Sequence, residues 1–276
     1  TTREHEMKEF IFIDGHQLKE EFPLRSLFYG EGVFESFRWK MRPPVFWDKH
    51  VQRMKRGAEL LGIPFPGVGD VEWVIERAML DSQISDAYVK ICLLSQGSSN
   101  FYETPTRHSL LGVVREFQAP KELITVCISS FSRNSASPVL RIKSLNYIEN
   151  ILARREAIGL GFDEAIFLNE RGEITEGSAS NTFWLREGVL FTPSLECGLL
   201  PGVIRDVVIE VACELGIQVI EGSFDPGVFL VSEGVFLTNS LMGIVSVSQV
   251  NEHKLPSDPQ GVIVLKSAIL EKLNWF

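Results

Sequence analysis

The chain has 276 residues, with 36 acidic and 27 basic side chains and a formal net charge of −9 at pH 7. Apolar residues make up 45% and charged ones 23%, the balance of a globular protein of one large or two medium domains. An isoelectric point near 5.2 argues against a surface built to neutralise duplex phosphates, while leaving room for a small anion held by a few focused cations. The expected partner is therefore a small molecule and not nucleic acid.

The opening stretch TTREHEMKEF is charged and has no apolar core of a secretory signal. No apolar run approaches the roughly 18 residues of a membrane span. Four scattered cysteines form no CxxC, and the five histidines include no HExxH, so neither a metal site nor a disulfide framework is expected. Cys92, Cys127 and Cys213 sit in apolar surroundings that read as core. The chain is expected in the cytoplasm, away from the membrane.

In chain order, FIFID (residues 10–14) reads as a short strand ending in a turn at Asp14-Gly15. Residues 48–61 place Val51, Met54, Ala58 and Leu61 on one stripe, predicting a helix capped by Asp48. Residues 70–80 repeat the device with Asp70 as cap. Strands are predicted at 87–94 and 110–114, joined by the polar loop QGSSNFYETPTRH, which is long enough to carry function. EFQAPKE marks a composition break. The expected division is a smaller α/β domain over 1–116, a linker over 117–123 and a larger strand-rich domain over 124–276.

In the second part, ITVCISS, DEAIFLN, ITEGSASNTFWL, VLFTP, IQVIEG, GVFLTN and GIVSVSQV read as strands. Residues 146–160 predict a helix with Ile148, Ile151, Leu152 and Ile158 inward. Residues 203–215 and 261–272 predict two more. The strict alternation of a doubly wound sheet is missing, so the fold class is α+β, a mixed α/β fold.

Gly30 and Gly32 in YGEGVFES lack the third glycine of a dinucleotide loop and read as a turn between extended segments. Ser178 lacks a nucleophile elbow. Lys143, in PVLRIKSLNYIENI, sits at the end of an extended apolar run just before a helix; aimed inward, its pKa would fall towards an amine able to form a Schiff base. Glu176 lies in ITEGSASNTFWL, where successive side chains alternate faces, and a carboxylate held inside there needs a cation or strong donors. In LLPGVIRDVV, Pro-Gly opens a helix whose free N–H groups at Val203 and Ile204 make an anion cradle. Each signal alone is weak. Together, lysine, carboxylate and cradle describe the needs of pyridoxal 5′-phosphate.

The stretches YGEGVFES, HVQRM, IKSLN, EAIFLNERGEITEGSASNTFWL, LLPGVIRD and FLTNSLMGIVSV occur in the order of one family. The chain resembles the class IV (fold-type IV) pyridoxal-phosphate enzymes: branched-chain and D-amino-acid aminotransferases and aminodeoxychorismate lyases. The resemblance runs from about Phe10 to the last helix. It implies that Lys143 is the Schiff-base lysine and Glu176 the partner of the pyridine nitrogen. Arg53 would grip the cofactor phosphate together with the amides of Val203 and Ile204 and with Ser240 and the Leu241 N–H. Tyr147 falls near the place of a tyrosine at the cofactor's phenolic oxygen. Tyr29, Arg38, Arg107 and His108 are the substrate-side candidates. Arg38 matches an arginine of branched-chain enzymes, and Arg107-His108 is similar to the Arg-x-His carboxylate trap of D-amino-acid aminotransferases without the middle residue.

KSLN, the turn Asn239-Ser240-Leu241 and Ser36, where lyases commonly have Thr, favour the lyase branch. SSNFY, in place of the Gly-Gly-Arg-Gly-Tyr of some lyases, speaks against it. The resemblance therefore implies a lyase that makes 4-aminobenzoate and pyruvate, with Lys143, Glu176 and Ser36 catalytic. The alternative is an aminotransferase using the same site. It also implies a homodimer acting on an amine or amino acid.

Overall fold

A computed structural model describes residues 12–13, 16–17, 22–40, 44–256 and 260–274. A short ladder pairs β1 (Phe12–Ile13) with β2 (His16–Gln17). The rest of the FIFID strand and its Asp14-Gly15 turn lie outside the described residues. A helix that the sequence reading missed follows, α1 (Leu24–Tyr29), closed by Gly30 in the left-handed region (φ 62°). Gly30 is thus a helix C-cap and not simply a turn between extended segments, and glycine tolerates that backbone at no steric cost.

The first sheet is antiparallel, in the order β3 (Gly32–Trp39), β4 (Ala87–Gln96), β5 (Arg107–Glu116). Strict alternation divides its faces. Val33, Phe37, Val89, Ile91 and Leu93 are buried against α2 (Trp47–Leu61) and α3 (Val68–Ser82). The cap expectations are corrected. Phe46 is the N-cap of α2, leaving Asp48 in the first turn. Gly67 is the N-cap of α3, and Asp70 sits three residues on, where its carboxylate accepts the Gly67 N–H at 3.0 Å.

The second sheet has nine strands, in the order β11-β10-β9-β12-β13-β6-β7-β8, with β14 on β13. They span β6 (Leu123–Arg133), β7 (Glu164–Asn169), β8 (Ile174–Gly177), β9 (Asn181–Arg186), β10 (Val189–Pro193), β11 (Val219–Gly222), β12 (Gly234–Asn239), β13 (Gly243–Val250) and β14 (His253–Lys254). β6 runs parallel to both β7 and β13, and β10 parallel to β11. Helices α5 (Val203–Glu214) and α6 (Gln260–Leu273) bury Val207, Val208, Val211, Leu265 and Ile269 with Phe183 and Phe236 of one face. The other face buries Trp184, Ile166, Val245 and Phe229.

Helix α4 (Ile148–Gly159) corrects a further expectation. It packs on β6 and β7 through Ala153 and Ala157, and Ile148 and Ile158, expected inward, are 62% and 64% exposed. Small residues let the helix lie close to Cys127, Ala165 and Phe167, which turns its larger aliphatic side chains outward. Cys213 is also exposed, while Cys92 and Cys127 are buried.

Candidate active site

A cavity of about 760 Å³ lies between the free face of the first sheet and the loops at one end of the second. Phe34, Ser36, Tyr88, Lys90 and Arg115 form the first wall; Glu176 to Asn181, Leu200 to Ile204 and Thr238 to Leu241 supply the second. The volume is that of a site for a cofactor-sized molecule.

Lys143 enters this cavity by a different local structure from the extended run the sequence indicated. Residues 138–141 form a 3₁₀ turn, and the next residues lay themselves along the free edge of β3. Phe34 N–H donates to Lys143 O and Leu145 N–H to Gly32 O, each at 2.9 Å. The lysine backbone is therefore fixed to a sheet edge. Its side chain is half-buried, with Nζ 4.6 Å from the Phe34 ring centre and 5.8 Å from that of Tyr147. No hydrogen bond or ion pair to this amine occurs among the described residues. Burial first, and then the charge of Arg53, lower its pKa to about 8.

Glu176 sits one residue before the end of β8, not in the middle of one long strand. ITEGSASNTFWL is broken at Ser178 to Ser180 between β8, paired with β7, and β9, paired with β10 and β12. The break leaves Glu176 facing the cavity. Its carboxylate accepts from Arg133 Nη1 at 2.9 Å, from Leu200 N–H at 3.1 Å and from Asn181 Nδ2 at 3.4 Å. Burial pushes its pKa up, and Arg133 pulls it part of the way back. Buried Glu164 holds the broken segment, accepting the Ser178 hydroxyl and N–H and pairing with Arg154.

Arg53 projects from α2 into the same cavity, buried and clamped. Glu35 accepts from its Nε at 2.8 Å and its Nη2 at 2.6 Å, and Pro201 O accepts from Nη1 at 3.2 Å. His50 Nδ1 lies 2.6 Å from the same Glu35 carboxylate. Burial lowers the His50 pKa, so the ring is neutral at pH 7 and donates Nδ1–H. Burial alone would raise Glu35; Arg53 and His50 outweigh it and hold the carboxyl at about 2. The opposite charges keep each other ionised inside the fold.

Tyr147 lines the cavity as the N-cap residue of α4, its pKa raised to about 12 by burial and then by Glu176. Val203 and Ile204 open α5 at the cavity, and Ser240 and Leu241 line it on the same wall. The Leu241 N–H is already donated to Asn239 Oδ1 at 2.9 Å, so that amide is engaged within its own turn. The four substrate-side candidates do not line this cavity. Arg38 shares a face with Ser36, but its guanidinium turns to Asp86, with Nε 2.7 Å from Oδ1. Tyr29 donates its hydroxyl to Ser99 O at 2.7 Å. Arg107 and His108 begin β5, opposite Gln96 and Ser95, and are not part of a loop tip.

The sequence reading passed over Lys90, Arg115, Arg133 and Glu35. A lysine inside the apolar run AYVKICLL was the available signal for the first. The others depend on strand register, which only the paired sheet supplies.

The sequence model of amino-transferase class IV matches residues 32–250. The chain belongs to the class IV aminotransferase family. Members of this family are pyridoxal-phosphate-dependent enzymes, which agrees with the fold and enzyme class expected from the sequence. This class IV chain is 29% identical over 258 residues to the aminodeoxychorismate lyase of Bacillus subtilis, covering 88% of this chain and 87% of the relative. It is 26% identical over 263 residues to the branched-chain-amino-acid aminotransferase of Escherichia coli, covering 88% and 85%. A solved structure from Legionella pneumophila, provisionally assigned as a 4-amino-4-deoxychorismate lyase, superposes with a TM-score of 0.86 at 28% identity, covering 92% of this chain and 96% of that one. Among the described residues, no group of His, Cys, Asp and Glu is arranged for a metal, and no helix is long and apolar enough to cross a membrane.

Proposed function

We propose that this chain is a pyridoxal-phosphate-dependent lyase of the cytoplasm that converts 4-amino-4-deoxychorismate into 4-aminobenzoate and pyruvate, a step of folate biosynthesis. One observation carries the reading: a half-buried lysine amine with no hydrogen bond or ion pair among the described residues faces a cavity that also holds a buried carboxylate. Ligand-free packing gives such an amine no reward.

The residues fit the cofactor. Arg133 Nε and Nη2, Ser180 Oγ and Thr238 Oγ1 are buried polar atoms on cavity-lining residues, with no hydrogen-bond partner among the described residues. Lys143 would hold the cofactor covalently, Glu176 its ring nitrogen, and Arg53 with the Val203 and Ile204 amides and Ser240 its phosphate. Tyr147 would stand near its phenolic oxygen. Bound there, the cofactor supplies a carbonyl for the substrate amine and a ring that withdraws electrons from the amine-bearing carbon.

The remaining chemistry belongs to the chain. Lys143 Nζ, its pKa lowered to about 8 so that a fraction of free base exists near neutral pH, would take the proton from the amine-bearing carbon. Glu176, whose carboxylate faces the cavity, would accept a hydrogen bond from the cofactor's protonated ring nitrogen and help hold the proton there. The C–O bond to the enolpyruvyl group then breaks, the ring becomes aromatic, and the enolpyruvate takes up a proton to become pyruvate. Ser36 and Lys143 are the proton donors for that leaving group. The balance needs no oxidant and no water.

The Bacillus subtilis relative, the Asn239-Ser240-Leu241 turn and Ser36 support the lyase. The Escherichia coli relative favours the second reading, transamination of an amino acid by the same lysine. Purified holoenzyme mixed with 4-amino-4-deoxychorismate is expected to release 4-aminobenzoate and pyruvate in equal amounts. Lys143→Ala is expected to lose both that release and the visible absorbance of the bound cofactor. Rapid conversion of the cofactor to its amine form by L-leucine, L-glutamate or D-alanine, with no pyruvate from aminodeoxychorismate, would replace the lyase by the transaminase.

A further inference from the structure

The first sheet presents two cations to the cavity that have no carboxylate partner. Lys90 of β4 and Arg115 of β5 lie on the face that carries Phe34 and Ser36, because Ser36 pairs with Lys90 and Tyr88 with Arg115 in the sheet register. Lys90 is half-buried and Arg115 is exposed at the cavity mouth. Their contacts are with rings. Lys90 Nζ is 4.0 Å from the Phe34 ring centre, and the Arg115 guanidinium is 4.0 Å from that of Tyr88. Neither forms an ion pair among the described residues.

Exposed helix cations such as Lys55, Arg56 and Arg155 also lack ion pairs among the described residues, but they face away from the cavity. Acidic side chains outnumber basic ones, 36 to 27. The other arginines around the cavity and along its sheets are paired: Arg38 with Asp86, Arg53 with Glu35, Arg133 with Glu176 and Arg154 with Glu164. Two cations left over on one cavity wall, steadied by aromatic faces, form a place for an anion.

We infer that Lys90 and Arg115 form a carboxylate subsite that selects a substrate carrying its carboxylate across a ring from the reacting amine. The spacing supports this choice. Lys90 on β4 and Lys143 on the edge segment flank β3 from opposite sides, and both ammonium groups abut the ring of Phe34 that stands between them. The α-carboxylate of an amino acid is attached to the amine-bearing carbon itself and cannot reach both. In aminodeoxychorismate a carboxylate lies opposite the amine on a six-membered ring, which matches that spacing. The groups suited to the cofactor phosphate, at Val203, Ile204 and Ser240, belong to the other wall. Arg115 at the mouth captures the anion, and Lys90 inside fixes it.

The inference rests on the lyase reading for its substrate, and two measurements separate them. In Lys90→Gln and Arg115→Gln holoenzymes, the KM for aminodeoxychorismate is expected to rise about tenfold or more with kcat within about twofold of the parent, the size of losing one charge-assisted hydrogen bond. Cofactor absorbance and cofactor affinity should stay at parent values, showing that the fold and the lysine are intact. Calorimetric binding of 4-aminobenzoate to the holoenzymes, which needs no turnover, is expected to weaken by a similar factor in both variants. If the parent releases no pyruvate while 4-aminobenzoate binding still depends on both cations, the reaction falls and the subsite stands. If KM and 4-aminobenzoate binding are unchanged in both variants, the subsite is overturned and the reaction stands.

Discussion

The lysine amine proposed to make this site reactive also costs the fold stability. Lys143 is half-buried with no counter-ion at hydrogen-bond distance among the described residues, and its pKa falls from 10.5 to about 8. Below pH 8 the amine is charged in both folded and unfolded chains, and the folded state bears the whole penalty. Between pH 8 and 10.5 the folded protein has released a proton that the unfolded chain still holds, so stability climbs with pH across that window. The shift corresponds to roughly 3 kcal/mol at neutral pH. Lys143→Met, close in length and uncharged, should therefore raise the melting temperature of the cofactor-free protein by several degrees at pH 7. The gain should shrink towards zero by pH 10.5. A melting temperature that drops at pH 7 would show that the amine is solvated or paired in solution. Lys143 and Glu176 were legible in the sequence because motif and chemistry coincide there. Glu35, Arg133, Lys90 and Arg115 were not, because each matters through the face its strand turns to the cavity, and a lone sequence does not carry register.

Among the elements, the break at Ser178 to Ser180 decides the site's geometry. One continuous strand would have carried Glu176 and Asn181 along a single ladder. Breaking it turns Glu176 to the cavity and lets Asn181 bridge the Glu176 carboxylate and the Leu200 carbonyl. The start of α5 packs hard against that bridge, since a Cβ added at Gly202 would stand 1.9 Å from Asn181 Oδ1. Gly202→Ala must displace Asn181, and with it one donor to Glu176 and the opening turn of α5. Weaker cofactor binding, by about tenfold, is expected in an absorbance titration, with far-ultraviolet circular dichroism unchanged. Unaltered affinity would mean that Asn181 moves without consequence. Strand and helix positions in the second sheet were largely readable, and GVFLTN and GIVSVSQV match β12 and β13 residue for residue. The break was marked by Gly177 and the small polar run after it, but the high β-propensity of ITE and NTFWL on either side joined them into one extended segment.

At the scale of the molecule, β5 ends at Glu116 and β6 begins at Leu123, so the expected linker joins the two sheets, and we propose the corresponding two-domain division. The surface adds a further consequence. Helix α4 spends its alanines on the second sheet and shows Ile148, Ile151, Leu152 and Ile158 outward. Asn146, just before it, donates to Gly30 O at the end of α1, where Leu27 and Phe28 are also exposed. Adjoining apolar patches of this kind on a chain with net charge −9 mark an association surface, because the charge alone would keep single chains apart in solution. A second copy of the chain is the proposed occupant, in the isologous arrangement usual for enzymes of this size. Light scattering at micromolar concentration should give twice the single-chain mass of 31.1 kDa. Ile148→Glu with Leu152→Glu should shift the population to single chains without lowering helix content, because both side chains already face outward. A parent protein that scatters as a single chain under these conditions would rule the dimer out and leave α4's outer face to another partner.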